Sequence, residues 1–171
     1  MSVKIIQGDI TKISCDAIVN AANSTLLGGG GVDGAIHKAA GKRLLLECMT
    51  LGGCKVGQAK VTKGYKLPCK YIIHTVGPKW KGGNKGEEDF LRSCYAESIR
   101  LAAENGCKSV AFPLISAGIY GYPKEQALLV AVDCIKRNTE NIDMDVTIVI
   151  FDKDIFDIAK ELFSELGLTI G

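Results

Sequence analysis

The chain has 171 residues, with 21 Lys and Arg against 19 Asp and Glu, so its formal net charge is +2. Hydrophobic residues make up 47% and charged residues 23%, a composition that excludes an intrinsically disordered chain. The nearly balanced charge argues against sequence-independent binding of nucleic acid, and no apolar run reaches the roughly 18 residues of a membrane span.

Six short apolar segments are predicted to be β-strands, because they are rich in branched residues and end near glycine or polar residues. Most of them are continuous apolar runs, which is typical of strands covered on both faces of a sheet. One segment instead alternates as an edge strand does. The six are Val3–Gln7, Ala17–Val19, the alternating segment around Val61, Tyr71–Gly77, Ser109–Leu114 and Val146–Phe151.

Apolar residues at helical spacing occupy the segments between the strands. A helix pair is predicted from about Asp33 to Met49, interrupted near Gly41. Residues from Glu87 to Asn105 fit one long helix, and Gly106 stands where a glycine after a helix C-terminus belongs.

Two more helices are predicted in the last third of the chain. Pro123 is expected at the first position of one, and Asp154 is expected to cap the other, which Gly167 ends. Strands that alternate with helices predict an α/β sheet with helices on both faces. Because no repeat or long linker divides the chain, we expect residues 1–171 to form a single domain.

Small, polar and aromatic residues follow four of the predicted strands. Ligands of open α/β sheets bind at the carboxyl ends of strands, so these segments are the predicted walls of a binding cleft. The segments are Gly8–Thr11, Asn20–Asn23 with Gly28–Gly34, Ser116–Gly121 and Phe151–Asp152.

The first glycine-rich loop, Gly28–Gly34, is a candidate cradle for a diphosphate. Its successive glycines let several backbone N–H groups face one anion, and a helix that starts near Asp33 adds its positive end. The GxGxxG spacing within it is a weak dinucleotide motif, since no strand leads directly into Gly29 and the Asp33 carboxylate would repel a pyrophosphate. A flexible surface loop is the alternative. Ser116–Gly121 is expected to face this loop.

Base and sugar contacts have candidates as well, each with a structural alternative. Tyr120 offers a flat face to a sugar, or packs as an aromatic at the rim. Phe151 is placed to stack on a purine, although a core phenylalanine is the commoner role. Asp9 is placed to accept from an exocyclic amine with the Ile10 N–H as donor, or else to cap a turn. Together, the two loops and these candidate residues predict a cleft for adenine, a diphosphate and a second ribose.

The segments GDIT, VNAAN, GGGGVDGAIH, IHTVGP and SAGIYGYP stand in the order and spacing of a macrodomain of the MacroD type. This resemblance covers essentially the whole chain, and VNAAN followed by GGGGVDGAIH is its most specific part. It implies a three-layer α/β/α sandwich around a mixed, mostly parallel sheet that binds ADP-ribose, and a single macrodomain over residues 1–171.

The resemblance also implies roles for individual residues. Asp9 and Ile10 would bind the adenine, with Phe151 beside it. Asn23 would hold a hydroxyl of the distal ribose, and Asp33 would be the catalytic carboxylate. The residues that would enclose the diphosphate and the distal ribose are Gly30, Gly31 and Val32 on one side and Ser116, Ala117, Gly118, Ile119 and Tyr120 on the other.

The family that the chain resembles contains both proteins that bind ADP-ribose and hydrolases that remove acyl-linked ADP-ribose. Since Asn23 and Asp33 are both present, we expect a hydrolase of acyl-linked ADP-ribose, acting on mono-ADP-ribosylated Asp or Glu of proteins, on O-acetyl-ADP-ribose, or on both. A reader module without turnover, an ADP-ribose-1″-phosphate phosphatase and an RNA- or poly(A)-binding module are the alternatives. Beside a helix N-terminus, Asp33 is expected to have a lowered pKa and mainly to orient water, with a ligand phosphate sharing the proton transfer.

The seven cysteines are odd in number and form no CxxC pair, which is typical of buried thiols in a reducing compartment. The start of the chain lacks the apolar core of a signal peptide. We therefore expect a cytoplasmic protein without a metal, a cofactor, or a membrane or nucleic-acid partner. His37 and His74 are expected to be structural, and Lys79–Gly86 to be a solvated connection.

Overall fold

The structure is a computed structural model, and it describes residues 2–164 and 168–171. In this part of the chain, β-strands and α-helices alternate. The strands are β1 (Ser2–Gln7), β2 (Ala17–Ala22), β3 (Ala59–Lys63), β4 (Tyr71–Val76), β5 (Ser109–Phe112), β6 (Asp145–Ile150) and β7 (Thr169–Ile170). The helices are α1 (Gly31–Ala40), α2 (Lys42–Met49), α3 (Glu87–Glu104), α4 (Lys124–Thr139) and α5 (Lys153–Phe163), and a short 3-10 helix spans Ile10–Lys12.

The strands form one sheet in the order β3-β4-β2-β5-β6-β1-β7. Neighbouring strands run parallel, except that β3 is antiparallel to β4. This arrangement confirms the mixed, mostly parallel sheet. The prediction missed β7, because a strand of two residues is too short to show a period.

Helices cover both faces of the sheet, because alternate residues of each buried strand point to opposite sides. Val19 of β2 packs in the cluster that α3, α4 and α5 cover, together with Tyr95. Its neighbour Ile18 packs in the cluster that α1 and α2 cover, together with Leu44. The three-layer α/β/α sandwich is thereby confirmed. Within the described residues, no helix is long and apolar enough to cross a membrane.

Two helix starts differ from the prediction. The side chain of Asp152 caps α5, since its Oδ1 accepts from the backbone N–H of Asp154 at 2.8 Å and of Ile155 at 3.3 Å. The prediction that Asp154 caps this helix was wrong, because Asp154 lies in its first turn. Pro123 takes the cap position immediately before α4 rather than its first helical position. Gly167, predicted to end α5, lies outside the described residues.

The loop Lys79–Gly86 is held from inside by Glu87, the first residue of α3. Glu87 Oε2 accepts from the backbone N–H of Lys81 and of Gly83, both at 2.9 Å, and Oε1 accepts from that of Lys85 at 2.6 Å. Burial opposes ionisation of Glu87, but these hydrogen bonds outweigh it and lower its pKa to about 2. The expected solvated connection is therefore a loop fixed around one buried carboxylate.

Candidate functional site

A cleft of about 610 Å³ lies at the carboxyl ends of the strands, a volume suited to a small-molecule ligand. Its walls come from the segments that follow β1, β2, β4, β5 and β6. All predicted site residues except Asp9 line it. They are Ile10, Asn23, Gly30, Gly31, Val32, Asp33, Ser116, Ala117, Gly118, Ile119, Tyr120 and Phe151.

Asp9 lies beside the cleft rather than in its wall, between the lining residues Gly8 and Ile10. Its Oδ1 caps the short 3-10 helix, accepting from the Thr11 N–H at 2.9 Å and from the Thr11 hydroxyl at 2.7 Å. The hydroxyl is the main reason that the pKa of Asp9 is lowered, with support from the Thr11 N–H and Lys12 against the opposing effect of burial. The alternative that Asp9 caps a turn is therefore confirmed for its Oδ1 oxygen.

The end of the cleft beside Asp9 carries an exposed aromatic ring. Phe151 directly follows β6 and is 81% exposed, so the alternative of a core phenylalanine is wrong. A largely exposed ring is costly to leave in water and is available for stacking. Ile119, 89% exposed, is the matching apolar side chain of the opposite loop.

The first loop leads directly into α1, and it meets the second loop across the cleft. Gly30 caps α1 without a side chain, so the first-turn N–H groups are not capped from within the loop. Gly31 has φ +58°, a left-handed conformation that glycine adopts at little cost. A Cβ on Gly30 would lie 3.8 Å from Ile119 Cδ1, so the two loops come close to each other across the cleft.

The second loop is shaped by an unusual serine. Ser116 has φ +66°, and its carbonyl accepts from the Tyr122 N–H at 3.0 Å to close the turn. Its hydroxyl is buried and has no hydrogen-bond partner among residues 2–164 and 168–171. Gly77, at the end of β4, leaves no room for a side chain because Ser116 Oγ packs directly against it. Ser116 is a lining residue of the cleft, but its hydroxyl lies against Gly77 and is not itself exposed.

Asp33 lies in the first turn of α1, and only 4% of its surface is exposed. Its Oδ1 accepts from Asn20 Nδ2 at 2.9 Å, and His37 Nε2 lies 3.5 Å from the same oxygen. Its Oδ2 lies beside Gly29, where a Cβ would be 3.1 Å from it and 3.2 Å from Asn23 Nδ2. One carboxylate oxygen is thus held by the protein, while the other borders the cleft next to the Asn23 amide.

Burial raises the pKa of Asp33, although the Asn20 hydrogen bond and the proximity of His37 act in the opposite direction. The sequence-based expectation of a lowered pKa was wrong. It considered the helix N-terminus and not the desolvation of a carboxylate closed in by sheet and helix. A raised pKa brings Asp33 closer to the range in which a carboxylate serves as a general base.

Asn23 shapes its own loop as well as the cleft. Its Nδ2 donates to the Gly28 carbonyl at 2.9 Å, and its Oδ1 accepts from the Thr25 N–H at 3.1 Å and from the Thr25 hydroxyl at 2.6 Å. An amide has two N–H donors, so one remains for a hydroxyl in the cleft.

The two histidines differ in their surroundings. His74 is fully buried in β4, with Nδ1 3.1 Å from Asn20 Nδ2 and Nε2 2.9 Å from Thr62 Oγ1. Burial lowers its pKa to about 3, so it stays neutral. His37 Nε2 is buried and, within the described part of the chain, makes no hydrogen bond, since its approach to Asp33 is too long.

Asn20 was predicted only as part of the segment Asn20–Asn23, and its individual role beside Asp33 was not foreseen. Asn20 is completely buried in β2 and contacts both Asp33 and His74. The available signal was an asparagine within the apolar run Ala17–Ala22, since a buried amide needs partners. Gly77, Pro113 and Ile155 also line the cleft without having been predicted.

Comparisons with known proteins agree with this geometry. A family model described as Macro domain matches residues 19–131. O-acetyl-ADP-ribose deacetylase 1 of Pantoea vagans is 49% identical over 172 residues, which cover 95% of this chain and 98% of that protein. ADP-ribose glycohydrolase MACROD2 of Homo sapiens is 50% identical over 168 residues, which cover 95% of this chain and 39% of that protein.

Among solved structures, a variant macrodomain of Oceanobacillus iheyensis with ADPR superimposes with a TM-score of 0.89 at 40% identity, covering 95% of this chain and 91% of that one. The family model spans more than half of the chain, and both relatives exceed 30% identity over nearly all of it. The chain therefore belongs to the macrodomain family and has MacroD-type proteins among its relatives.

Proposed function

We propose that this macrodomain is an ADP-ribose-binding hydrolase that removes acyl groups from ADP-ribose, with O-acetyl-ADP-ribose and mono-ADP-ribosylated Asp or Glu side chains as substrates. The observation that carries the proposal is the Asp33 carboxylate, buried at the cleft wall with a raised pKa and with Oδ2 free of the Asn20 hydrogen bond. Relatives named as a deacetylase and as a glycohydrolase of ADP-ribose support the same substrate class.

The adenine end is assigned to the segments after β1 and β6. Phe151 stacks on the base, the Ile10 N–H donates to a ring nitrogen, and Asp9 accepts from the exocyclic amine through Oδ2. That oxygen makes no hydrogen bond to a described residue, and the lowered pKa keeps it ionised. Exposed stacking surface and an ionised acceptor together favour adenine.

The diphosphate is assigned to the space between the two loops. The uncapped N-terminus of α1 offers backbone N–H groups and a partial positive charge to one side of it. The second loop faces it from the other side, where Ser116 and Gly118 line the cleft. The distal ribose then reaches Asn23 and Asp33, which lie together beside Gly29.

The reaction at this end is ester hydrolysis. Asp33 Oδ2 accepts a proton from a water whose oxygen bonds to the acyl carbonyl carbon. The bond between that carbon and the ribose oxygen then breaks, and the proton returns to the ribose oxygen. The products are ADP-ribose and the free carboxylic acid. The second N–H of Asn23 holds a neighbouring ribose hydroxyl and thereby fixes the ester against the water.

The test is turnover of both substrates by the pure protein, beside the variant Asp33→Asn. The variant keeps an acceptor for Asn20 but loses the base, so kcat is expected to fall about 10²- to 10⁴-fold. Binding of ADP-ribose, followed by calorimetry, is expected to persist. A wild-type protein that binds ADP-ribose but releases neither acetate nor protein-linked label would instead be a reader module, and release of phosphate from ADP-ribose-1″-phosphate alone would make it a phosphatase.

Two further expectations belong to this proposal. Residues 1–171 act as a single domain, supported by the one sheet that all described strands share.

The protein works in the cytoplasm, supported by seven cysteines without a disulfide. Burial raises the pKa of Cys94 to about 11, so this thiol stays protonated and unreactive.

A further inference from the structure

Behind the cleft, a chain of buried polar side chains crosses the sheet from Asp33 to its antiparallel edge. Asn20, His74 and Thr62 lie on β2, β4 and β3, which are neighbours in the sheet. Asn20 and His74 are directly paired in the strand register, and the alternation of side chains puts all three on the face that α1 and α2 cover. All three are 2% exposed or less.

The tautomer of His74 follows from its neighbour Thr62. The Thr62 hydroxyl donates its single proton to the Lys63 carbonyl at 3.2 Å. Its oxygen, 2.9 Å from His74 Nε2, is therefore an acceptor at that contact, and Nε2 carries the imidazole proton. Nδ1 of a neutral imidazole with this proton is an acceptor.

The orientation of the Asn20 amide follows in turn. Nδ1 of His74, 3.1 Å away, accepts one N–H of Asn20 Nδ2, and Asp33 Oδ1, 2.9 Å away, accepts the other. Asn20 Oδ1 is buried and has no hydrogen-bond partner in the described part of the chain. The amide is therefore held only from its nitrogen side. A flipped amide would turn its oxygen toward the carboxylate of Asp33.

We propose that His74 is a positioning residue, which fixes the Asn20 amide through Nδ1 so that Asn20 holds Asp33 Oδ1 and leaves Oδ2 facing the cleft. The proposal rests on the proposed function, because it gives His74 a role in the reaction only through Asp33. His74 itself does not line the cleft and touches no substrate. Burial keeps the imidazole neutral above a pKa of about 3, so its protonation does not disturb this hydrogen bond near neutral pH.

The first experiment compares His74→Asn with His74→Gln. The Asn side chain places a polar atom near the position of Nδ1, and the Gln side chain places one near that of Nε2. The proposal expects His74→Asn to retain more activity than His74→Gln and His74→Leu, whose kcat is expected to fall about 10- to 100-fold because a misplaced catalytic group costs rates of that order. KM and ADP-ribose affinity are expected to stay within a few-fold of wild type. A purely structural His74 predicts that Gln and Leu, which fill the space better, are the more active variants, and that result would overturn the proposal.

Thr62→Val is the matched variant away from the histidine. It keeps the shape of the side chain but removes the acceptor 2.9 Å from Nε2 and leaves Cys48 Sγ, 4.0 Å away, as a much weaker one, so the preference of His74 for one tautomer is lost. The expected result is a folded protein with lowered kcat and unchanged ADP-ribose affinity. A kcat equal to that of wild type would contradict the proposal, and this result decides the case even if the His74 variants fail to fold.

The pH profile supplies a readout that packing alone does not move. The titratable groups near Asp33 are His37 on α1, Cys48 on α2 and His74 on β4. Since the Asn20 hydrogen bond lowers the pKa of Asp33, its loss raises that pKa, and the acidic limb of the kcat profile moves to higher pH in His74→Leu. An unmoved limb in an impaired variant would count against the proposal.

The wild-type protein allows a test that does not depend on measuring turnover. Nitrogen-15 NMR of labelled histidine is expected to show His74 neutral and protonated at Nε2. Protonation at Nδ1 would overturn the proposal while leaving the proposed hydrolysis untouched. A wild-type protein without turnover but with the Nε2–H tautomer would refute the proposed function and leave the hydrogen-bond chain as a feature of the fold.

Discussion

Replacement of Phe151 by alanine is expected to weaken ADP-ribose binding and to leave the fold unchanged. The ring is 81% exposed, so its removal takes little apolar surface out of the core. The free energy of unfolding is therefore expected to change by no more than about 0.5 kcal/mol, as for ordinary surface substitutions.

The cost to binding follows from the stacking that the ring is proposed to provide. A base stacked on an aromatic side chain is worth about 1–3 kcal/mol. Since 1.4 kcal/mol corresponds to a tenfold change, the Kd of Phe151→Ala is expected to rise about 5- to 150-fold. Phe151→Tyr retains a flat ring and is expected to bind within about threefold of wild type by the same argument.

Isothermal titration with ADP-ribose measures the change, and thermal unfolding checks the fold. Phe90→Ala is the control, since Phe90 is 44% exposed on α3 and lies outside the cleft. Phe151 does not stack on the base if Phe151→Ala binds as tightly as wild type, and it is not a surface ring if the variant loses stability as a core phenylalanine would.

Three other substitutions test separate parts of the structure. Asp33→Asn is expected to raise the melting temperature at pH 7, because burial raises the pKa of Asp33 and its ionised form is the unfavourable one; the gain disappears below the unfolded pKa of about 3.8. Glu87→Gln is expected to lower stability, because the folded pKa of about 2 lies below the ordinary glutamate pKa of 4.5; the loss is complete above the unfolded pKa and disappears as pH falls to about 2. Gly34→Ala is expected to abolish ADP-ribose binding, since its Cβ would lie 2.5 Å from the Gly29 carbonyl oxygen and push the first loop away from α1.

Each of the three has a result that would contradict it. Asp33→Asn contradicts the argument if its melting temperature lies below that of wild type by the same amount at pH 7 and at pH 3. A stability difference for Glu87→Gln that does not depend on pH would mean that its charge is not what holds the loop. Gly34→Ala contradicts the argument if it binds ADP-ribose as wild type does.

The positions of the strands and of the cleft could be predicted because they depend on local patterns. Apolar runs that end in glycine mark the strands, and the parallel sheet brings their ends to one edge. The cap of α5 was placed on Asp154 rather than Asp152 because both aspartates stand near the helix start, and only backbone geometry separates them.

The electrostatics of the site could not be predicted in the same way. The pKa of Asp33 depends on how completely the helix and the sheet exclude water, which is a tertiary property. Asn20 and His74 are 54 residues apart, and their contact follows from strand order and register. The role of Glu87 in the loop before it likewise depends on a backbone path that composition does not reveal.

Gly30 and Ile119 approach each other across the cleft, close enough that a Cβ on Gly30 would lie 3.8 Å from Ile119 Cδ1. A nucleotide sugar bound between the two loops passes this narrow point as it leaves, so its escape is expected to depend on an opening motion of the exposed Ile119 side chain. Enlarging or trimming this single side chain would then alter residence time more than equilibrium affinity, and turnover under saturating substrate would follow the rate of that opening.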